Sequence, residues 1–161
     1  MRNEDARTVV QLLADHELAL KELYQTYAAT LPSRQDLWLK LAADEQRHYD
    51  WLEALRAGEG DADSLGACRW PRPPAIESSL KYLRGQIVRA RQAEVALLVA
   101  LAVAKDLETA LLEKEFFKVA EGASPEVRAV LGRLSAATEQ HQRAVVDALN
   151  TVKRAAASGK A

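Results

Sequence analysis

The sequence predicts an all-α protein built as a four-helix bundle, and three observations lead there. Its seven glycines and five prolines cluster, leaving long stretches rich in Ala, Leu, Glu, Lys and Gln, residues of high intrinsic helix propensity. Within those stretches apolar residues recur at spacings of three, four and seven, the period of a helix with one buried face. One segment without periodicity divides the helices into two pairs, which makes two hairpins joined by a long crossover.

The first helix is expected from Glu4 to about Thr30, with Val10, Leu13, Leu20, Tyr24 and Tyr27 in one stripe. Leu31-Pro32-Ser33 ends it, and Ser33 with Asp36 three residues on resembles an N-cap for the second helix. That helix spans about Arg34 to Arg56, with Leu37, Trp38, Leu41, Leu52 and Leu55 inward. Residues 57–75 hold three glycines and three prolines and form the long connection. A short helix is expected at Ile76 to Gln86 and a third long helix from about Ala90 to Glu121, with one continuous helix as the alternative. Ser124 caps the fourth long helix, Pro125 occupies its first position, and it runs to about Val152. Residues 1–152 thus make one domain, and the tail 153–161 is expected to be disordered.

Composition narrows the function classes. With 161 residues, 48% of them apolar, the chain is long enough for one domain with a full core. Lys and Arg number 22 against 23 Asp and Glu, so there is no cationic excess to neutralise phosphates, and nucleic acid is not an expected partner. The longest apolar run, Val95 to Ala104, is about half of the ~20 residues a membrane span needs, so no membrane insertion is expected. Cys68 is the single cysteine and no charged-then-apolar leader opens the chain, which predicts a reducing, cytoplasmic setting.

The two hairpins resemble each other. A shift of 91 residues pairs Asp15, Glu17, Ala19, Leu20 and Glu22 with Asp106, Glu108, Ala110, Leu111 and Glu113. A shift of 94 pairs Leu37, Ala42, Ala43, Glu45, Gln46, Ala54 and Leu55 with Leu131, Ala136, Ala137, Glu139, Gln140, Ala148 and Leu149. A rival shift of 93 aligns Pro32 with Pro125 and His48 with His141, at fewer identities. The identities favour an internal duplication in the 94-residue register.

Several acidic residues fall where apolar ones should be. Glu17 lies in register with Val10, Leu13, Leu20 and Tyr24; Glu45 and His48 lie between Leu41 and Leu52; Glu108 shares a stripe with Leu97, Leu101, Ala104 and Leu111. A carboxylate in a core costs several kcal/mol unless it is paired, protonated or bound to a metal, so one layer of such groups points to a cation. Residues i and i+3 share a helix face, so Glu45-x-x-His48 can present an oxygen and an imidazole nitrogen to one ion.

Glu17-Leu-Ala-Leu-Lys-Glu-Leu-Tyr24 and Ala43-Asp-Glu45-Gln-Arg-His48 resemble the first half of a rubrerythrin-like domain of the ferritin-like superfamily. The resemblance implies a ferritin-like four-helix bundle that holds two irons, with one Glu from each of the first and third long helices and a Glu-x-x-His from each of the other two. It also implies reaction with dioxygen or peroxide, or oxidation and storage of iron, and a homodimer. The chain has no Cys-x-x-Cys pair, so a rubredoxin-like centre is not expected.

The second half departs from that pattern. Glu108 and Glu139 match the expected carboxylates, but Gln142 stands where the family has histidine. Leu131, Leu134, Thr138, His141 and Val145 make a better apolar stripe than Leu131, Ser135, Glu139, Gln142 and Val146, and in that phase His141 turns inward and Glu139 outward. The expected ligands are therefore Glu17, Glu45, His48 and Glu108, joined either by Glu139 with Gln142 or by His141. Such a mixed set suits iron, manganese or zinc. The alternative is a non-enzymatic bundle acting as a metal carrier or a protein-interaction scaffold.

Other residues read as structural. His16 points about 100° away from Glu17 and reads as a surface or interface residue. Cys68 reads as an incidental thiol, and Trp38, Trp51 and Trp70 as packing residues, with Trp51 one turn beyond His48 and able to wall the site. Tyr24 is a core aromatic whose site role would be a hydrogen bond to a ligand carboxylate. Glu113, Lys114 and Glu115 read as solvated helix face, and Leu97 to Val103 as core or dimer seam.

Overall fold

A computed structural model describes residues 3–58, 62–113 and 123–159. Every regular element among them is helical: α1 (Asn3–Thr30), α2 (Gln35–Ala57), α3 (Ala62–Ala67), α4 (Pro73–Gln92), α5 (Leu97–Glu113) and α6 (Pro125–Ala157). None of these helices is long and apolar enough to cross a membrane.

Two hairpins, α1 with α2 and α5 with α6, face each other: side chains of α2 meet α6, and Tyr24 of α1 reaches α5. The first turn is tight because Pro32 to Arg34 form a single 3-10 turn. Ser33 lies inside that turn, and α2 starts at Gln35 with no side-chain cap, so the expected Ser33 cap is not made. At the second turn the expected cap is present: the Ser124 hydroxyl accepts from the Val127 N–H at 3.2 Å, and Pro125 opens α6. Lys114 to Glu121, and with them the expected end of the third long helix and its solvated face, lie outside the described residues.

The crossover is more ordered than the sequence suggested. It contains the short helix α3, and the helix expected at Ile76 to Gln86 is the full-length α4. The chain becomes extended at Ala93, which separates α4 from α5 and delays the third long helix from the expected Ala90 to Leu97. Ile76, Leu80, Leu83, Ile87 and Ala90 form one buried stripe on α4, which packs along α1. Helix α1 is therefore covered on two faces. His16, read from the sequence as a surface residue, is fully buried, and its Nε2 meets Ser79 Oγ of α4 at 3.0 Å.

Helix α6 continues past the expected Val152 to Ala157, over residues dominated by the helix-favouring Lys, Arg and Ala. Trp38 fills the space next to the first turn, with its ring 4.9 Å from that of Tyr27 and stacked 5.8 Å from that of Tyr24. Cys68 is buried after α3, with its thiol 3.5 Å from the Ser64 carbonyl. Leu101, Val103 and Ala104 of α5 belong to the core, whereas Leu98 and Val99 are exposed.

Candidate metal centre

The centre is assembled from four helices, each contributing through its buried stripe. Glu17 comes from α1 between Leu13 and Leu20, Glu45 and His48 from successive turns of α2, Glu108 from α5 and His141 from α6. All five are at most 3% exposed. They are placed there by the apolar residues one turn to either side, whose burial outweighs the penalty of taking charge along.

Glu45 is the hub. Its Oε2 accepts from His48 Nδ1 at 2.8 Å, and its Oε1 lies 2.9 Å from His141 Nδ1 without the alignment of a hydrogen bond. Glu17 Oε2 lies 3.5 Å from His48 Nδ1, and Glu108 Oε1 lies 3.6 Å from His141 Nδ1. The two imidazole rings stack with centroids 5.2 Å apart. Glu45, His48 and His141 each bring one ligand atom into a group spanning no more than 4.8 Å. Three buried atoms in this cluster lack a hydrogen-bond partner: Glu45 Oε1, Glu108 Oε2 and His141 Nδ1. Buried polar atoms are rarely left so, and all three are of the types that ligate transition metals.

Crowding of like and unlike charges away from water shifts the titration of these groups. Burial, reinforced by the nearby Glu45 carboxylate, pushes Glu17 up to about 8. Burial also acts to raise Glu45, but its interactions with the Glu17, His141 and His48 side chains prevail and hold it below its usual range. Both histidines would be lowered by burial, yet the carboxylates facing them dominate: Glu17 and Glu45 raise His48 to about 10, and Glu108 and Glu45 raise His141 to about 11. Shifts of this sign favour protonated side chains in the cluster, and a bound cation would compete with those protons.

A second layer orients the first. His141 Nε2 donates to Asp44 Oδ2 at 3.2 Å, and Asp44 is itself held by Lys40 at 3.4 Å and by Arg47. The Tyr24 hydroxyl donates to Glu108 Oε1 at 2.6 Å, and its ring lies in the core as expected. Trp51 stacks on His48 with centroids 5.5 Å apart, and the Arg133 guanidinium sits 5.1 Å over the Trp51 ring. The indole therefore does wall this side of the cluster.

On α6 the structure decides between the two phases. Glu139 is exposed and pairs with Arg143 at 3.3 Å, so it is absent from the cluster, and the 94-residue register fails for this helix. Gln142 is half-buried and donates to Thr109 Oγ1 of α5 at 3.1 Å rather than to a group of the cluster. His141 faces inward with Leu134, Thr138 and Val145, as the 93-residue register and the apolar stripe require. Thr138 consequently holds the position three before His141 that Glu45 holds before His48; its hydroxyl bonds back to the Leu134 carbonyl at 2.9 Å. Asp44 escaped the sequence reading because it neighbours Glu45 about 100° round the helix, where a charged residue ordinarily meets water. No protein-family model, no curated protein and no solved structure matches this chain.

Proposed function

We propose that the chain is a transition-metal-binding protein in which α1, α2, α5 and α6 form a ferritin-like, rubrerythrin-like four-helix bundle. Its ligands are Glu17, Glu45, His48, Glu108 and His141. The observation that supports this reading is the convergence of five buried ionisable side chains, of which Glu45 Oε1, Glu108 Oε2 and His141 Nδ1 have no hydrogen-bond partner. A divalent cation satisfies carboxylate oxygens and imidazole nitrogens together, which no single polar side chain can do.

Iron is the metal implied by the rubrerythrin-like resemblance, and manganese and zinc accept the same donors. Bound iron would supply an open position for dioxygen or peroxide. The chain's own groups then have definite tasks. Three carboxylates neutralise the cation, Asp44 holds the proton of His141 Nε2, Tyr24 keeps a proton 2.6 Å from Glu108 Oε1, and Trp51 screens His48 from water.

Elemental analysis of protein purified without chelators tests the reading, with about two irons per chain expected for a complete bundle site. Protein that is isolated metal-free and takes up no Fe(II) anaerobically would overturn it. One observation favours a second, non-enzymatic reading as a metal carrier or interaction scaffold: Thr138 stands where a second Glu-x-x-His would have its glutamate. Metal uptake without consumption of peroxide or dioxygen by the Fe(II)-loaded protein would support that alternative.

A further inference from the structure

We propose that the cavity where the first turn, the start of α5 and the end of α6 meet binds a free single-chain fatty acid, with its carboxylate at Arg34 and its alkyl chain between α5 and α6. This site lies apart from the metal centre and does not rest on the metal-binding reading. Leu98 of α5 is ten residues from Glu108, and Thr151 of α6 is ten residues from His141. Both walls therefore stand ~15 Å along their helices from the candidate ligands.

Size and lining point to an alkyl chain. The cavity has a volume of about 560 Å³, within the ~300–1,000 Å³ of small-molecule sites. Leu97 and Leu98 of α5 and Val152, Ala155 and Ala156 of α6 supply its apolar wall. The two alanines leave open the space that larger side chains would fill. Leu98 and Ala156 are exposed, so this apolar surface meets water until an apolar group covers it. One alkyl chain suits a cavity of this size better than the two chains of a membrane phospholipid.

Charge points to a carboxylate head. Arg34 is half-buried in the wall, and among the described residues no acid lines the cavity and none pairs with Arg34. A guanidinium partly withdrawn from water without a carboxylate gains from an anion, and its planar fork offers a carboxylate two parallel hydrogen bonds. Beside it the Ser33 side chain is exposed, and the N–H groups of Leu97 and Leu98 have no acceptor within α5. The C-terminal end of α6 is the group that would repel an anion. Its Arg154, Ala155 and Ala156 carbonyls already accept from the Ser158 N–H, the Ser158 hydroxyl and the Gly159 N–H respectively, which blunts that repulsion.

Calorimetric titration of the full-length chain with sodium decanoate, below its micelle concentration, tests the assignment. One saturable site is expected. Octanoate, shorter by two methylenes, is expected to bind about 10-fold more weakly. Octan-1-ol, with the same chain length and no charge, is expected to bind at least ~5-fold more weakly than octanoate. Arg34→Gln is expected to weaken decanoate by at least ~5-fold. Ala156→Trp puts bulk into the cavity from an exposed helical position and is expected to abolish binding with circular dichroism unchanged. If that variant unfolds, Arg34→Gln and the octan-1-ol comparison decide. The assignment is overturned if decanoate shows no saturable binding, if octan-1-ol binds as well as octanoate, or if either folded variant binds decanoate as wild type does. Cosedimentation with phosphatidylglycerol vesicles by a chain that does not bind decanoate also overturns it, in favour of a membrane surface. The titration needs no metal, so a chain that binds decanoate and takes up no Fe(II) overturns the metal-binding reading alone.

Discussion

Asp44 bonds to His141, the imidazole that faces Glu45 and Glu108. Its Oδ2 receives the Nε2 proton of His141, while Lys40 and Arg47 help His141 keep it ionised against the opposing effect of burial. Asp44→Asn preserves shape and removes the charge, so metal affinity is expected to fall by ~10–100-fold with helix content unchanged, as read by titration and circular dichroism. Gln142→His makes the opposite case: it introduces a histidine at a position bonded to Thr109, so metal affinity is expected to stay unchanged. A tighter metal site in that variant would show that α6 is turned the other way. These two residues mark what was legible. Glu17, Glu45, His48 and Glu108 stood out as charges on apolar stripes, whereas Glu139 was favoured by counting identities in helices of similar composition. Apolar phase, not identity, reported the facing direction, and it pointed to His141. Asp44 was illegible because its partner lies 97 residues away on another helix.

At the scale of elements, the hairpins were readable from period and caps, and α4 was not. Its stripe of Ile76, Leu80, Leu83, Ile87 and Ala90 has the helical period, but the expectation was a short helix from Ile76 to Gln86 with the next beginning at about Ala90. What it covers was also hidden. Val9, His16 and Leu23 of α1 lie off the stripe that faces the centre, and all three are buried. Helix α4 thus packs against the helix that carries Glu17. Leu83 is fully buried, and Leu83→Ala is expected to destabilise the protein by ~2–5 kcal/mol, measured by urea unfolding. A loss below ~1 kcal/mol would mean that α4 is not docked as described. The cap of α6 contributes separately. Ser124→Ala removes the acceptor for the Val127 N–H and is expected to cost ~1 kcal/mol.

For the whole molecule, the centre makes stability depend on pH in a direction that a bound metal opposes. Glu17 titrates at about 8 in the fold against an ordinary 4.5, so its contribution is full below 4.5 and is lost as pH rises through 8. His48 and His141, at about 10 and 11 against 6.5, contribute fully below 6.5 and lose that contribution as pH rises through those values. Between 6.5 and 8 all three groups hold a proton in the fold that the unfolded chain has largely released, and the metal-free protein should lose stability most steeply there. Glu45 and Asp44 act oppositely. Their lowered values stabilise the fold above the ordinary carboxylate range and that contribution is lost as pH falls below it, so the metal-free optimum is expected near the top of the ordinary carboxylate range. A cation replaces the same protons, so its affinity must climb through the window in which the metal-free fold weakens, and the stabilisation it confers grows with it. Thermal unfolding of stripped and Co(II)-loaded protein from pH 5.5 to 9 measures both trends. The two melting temperatures should diverge as pH rises, and a stripped protein whose melting temperature is flat between 6.5 and 8 would mean that these side chains do not share protons in the core.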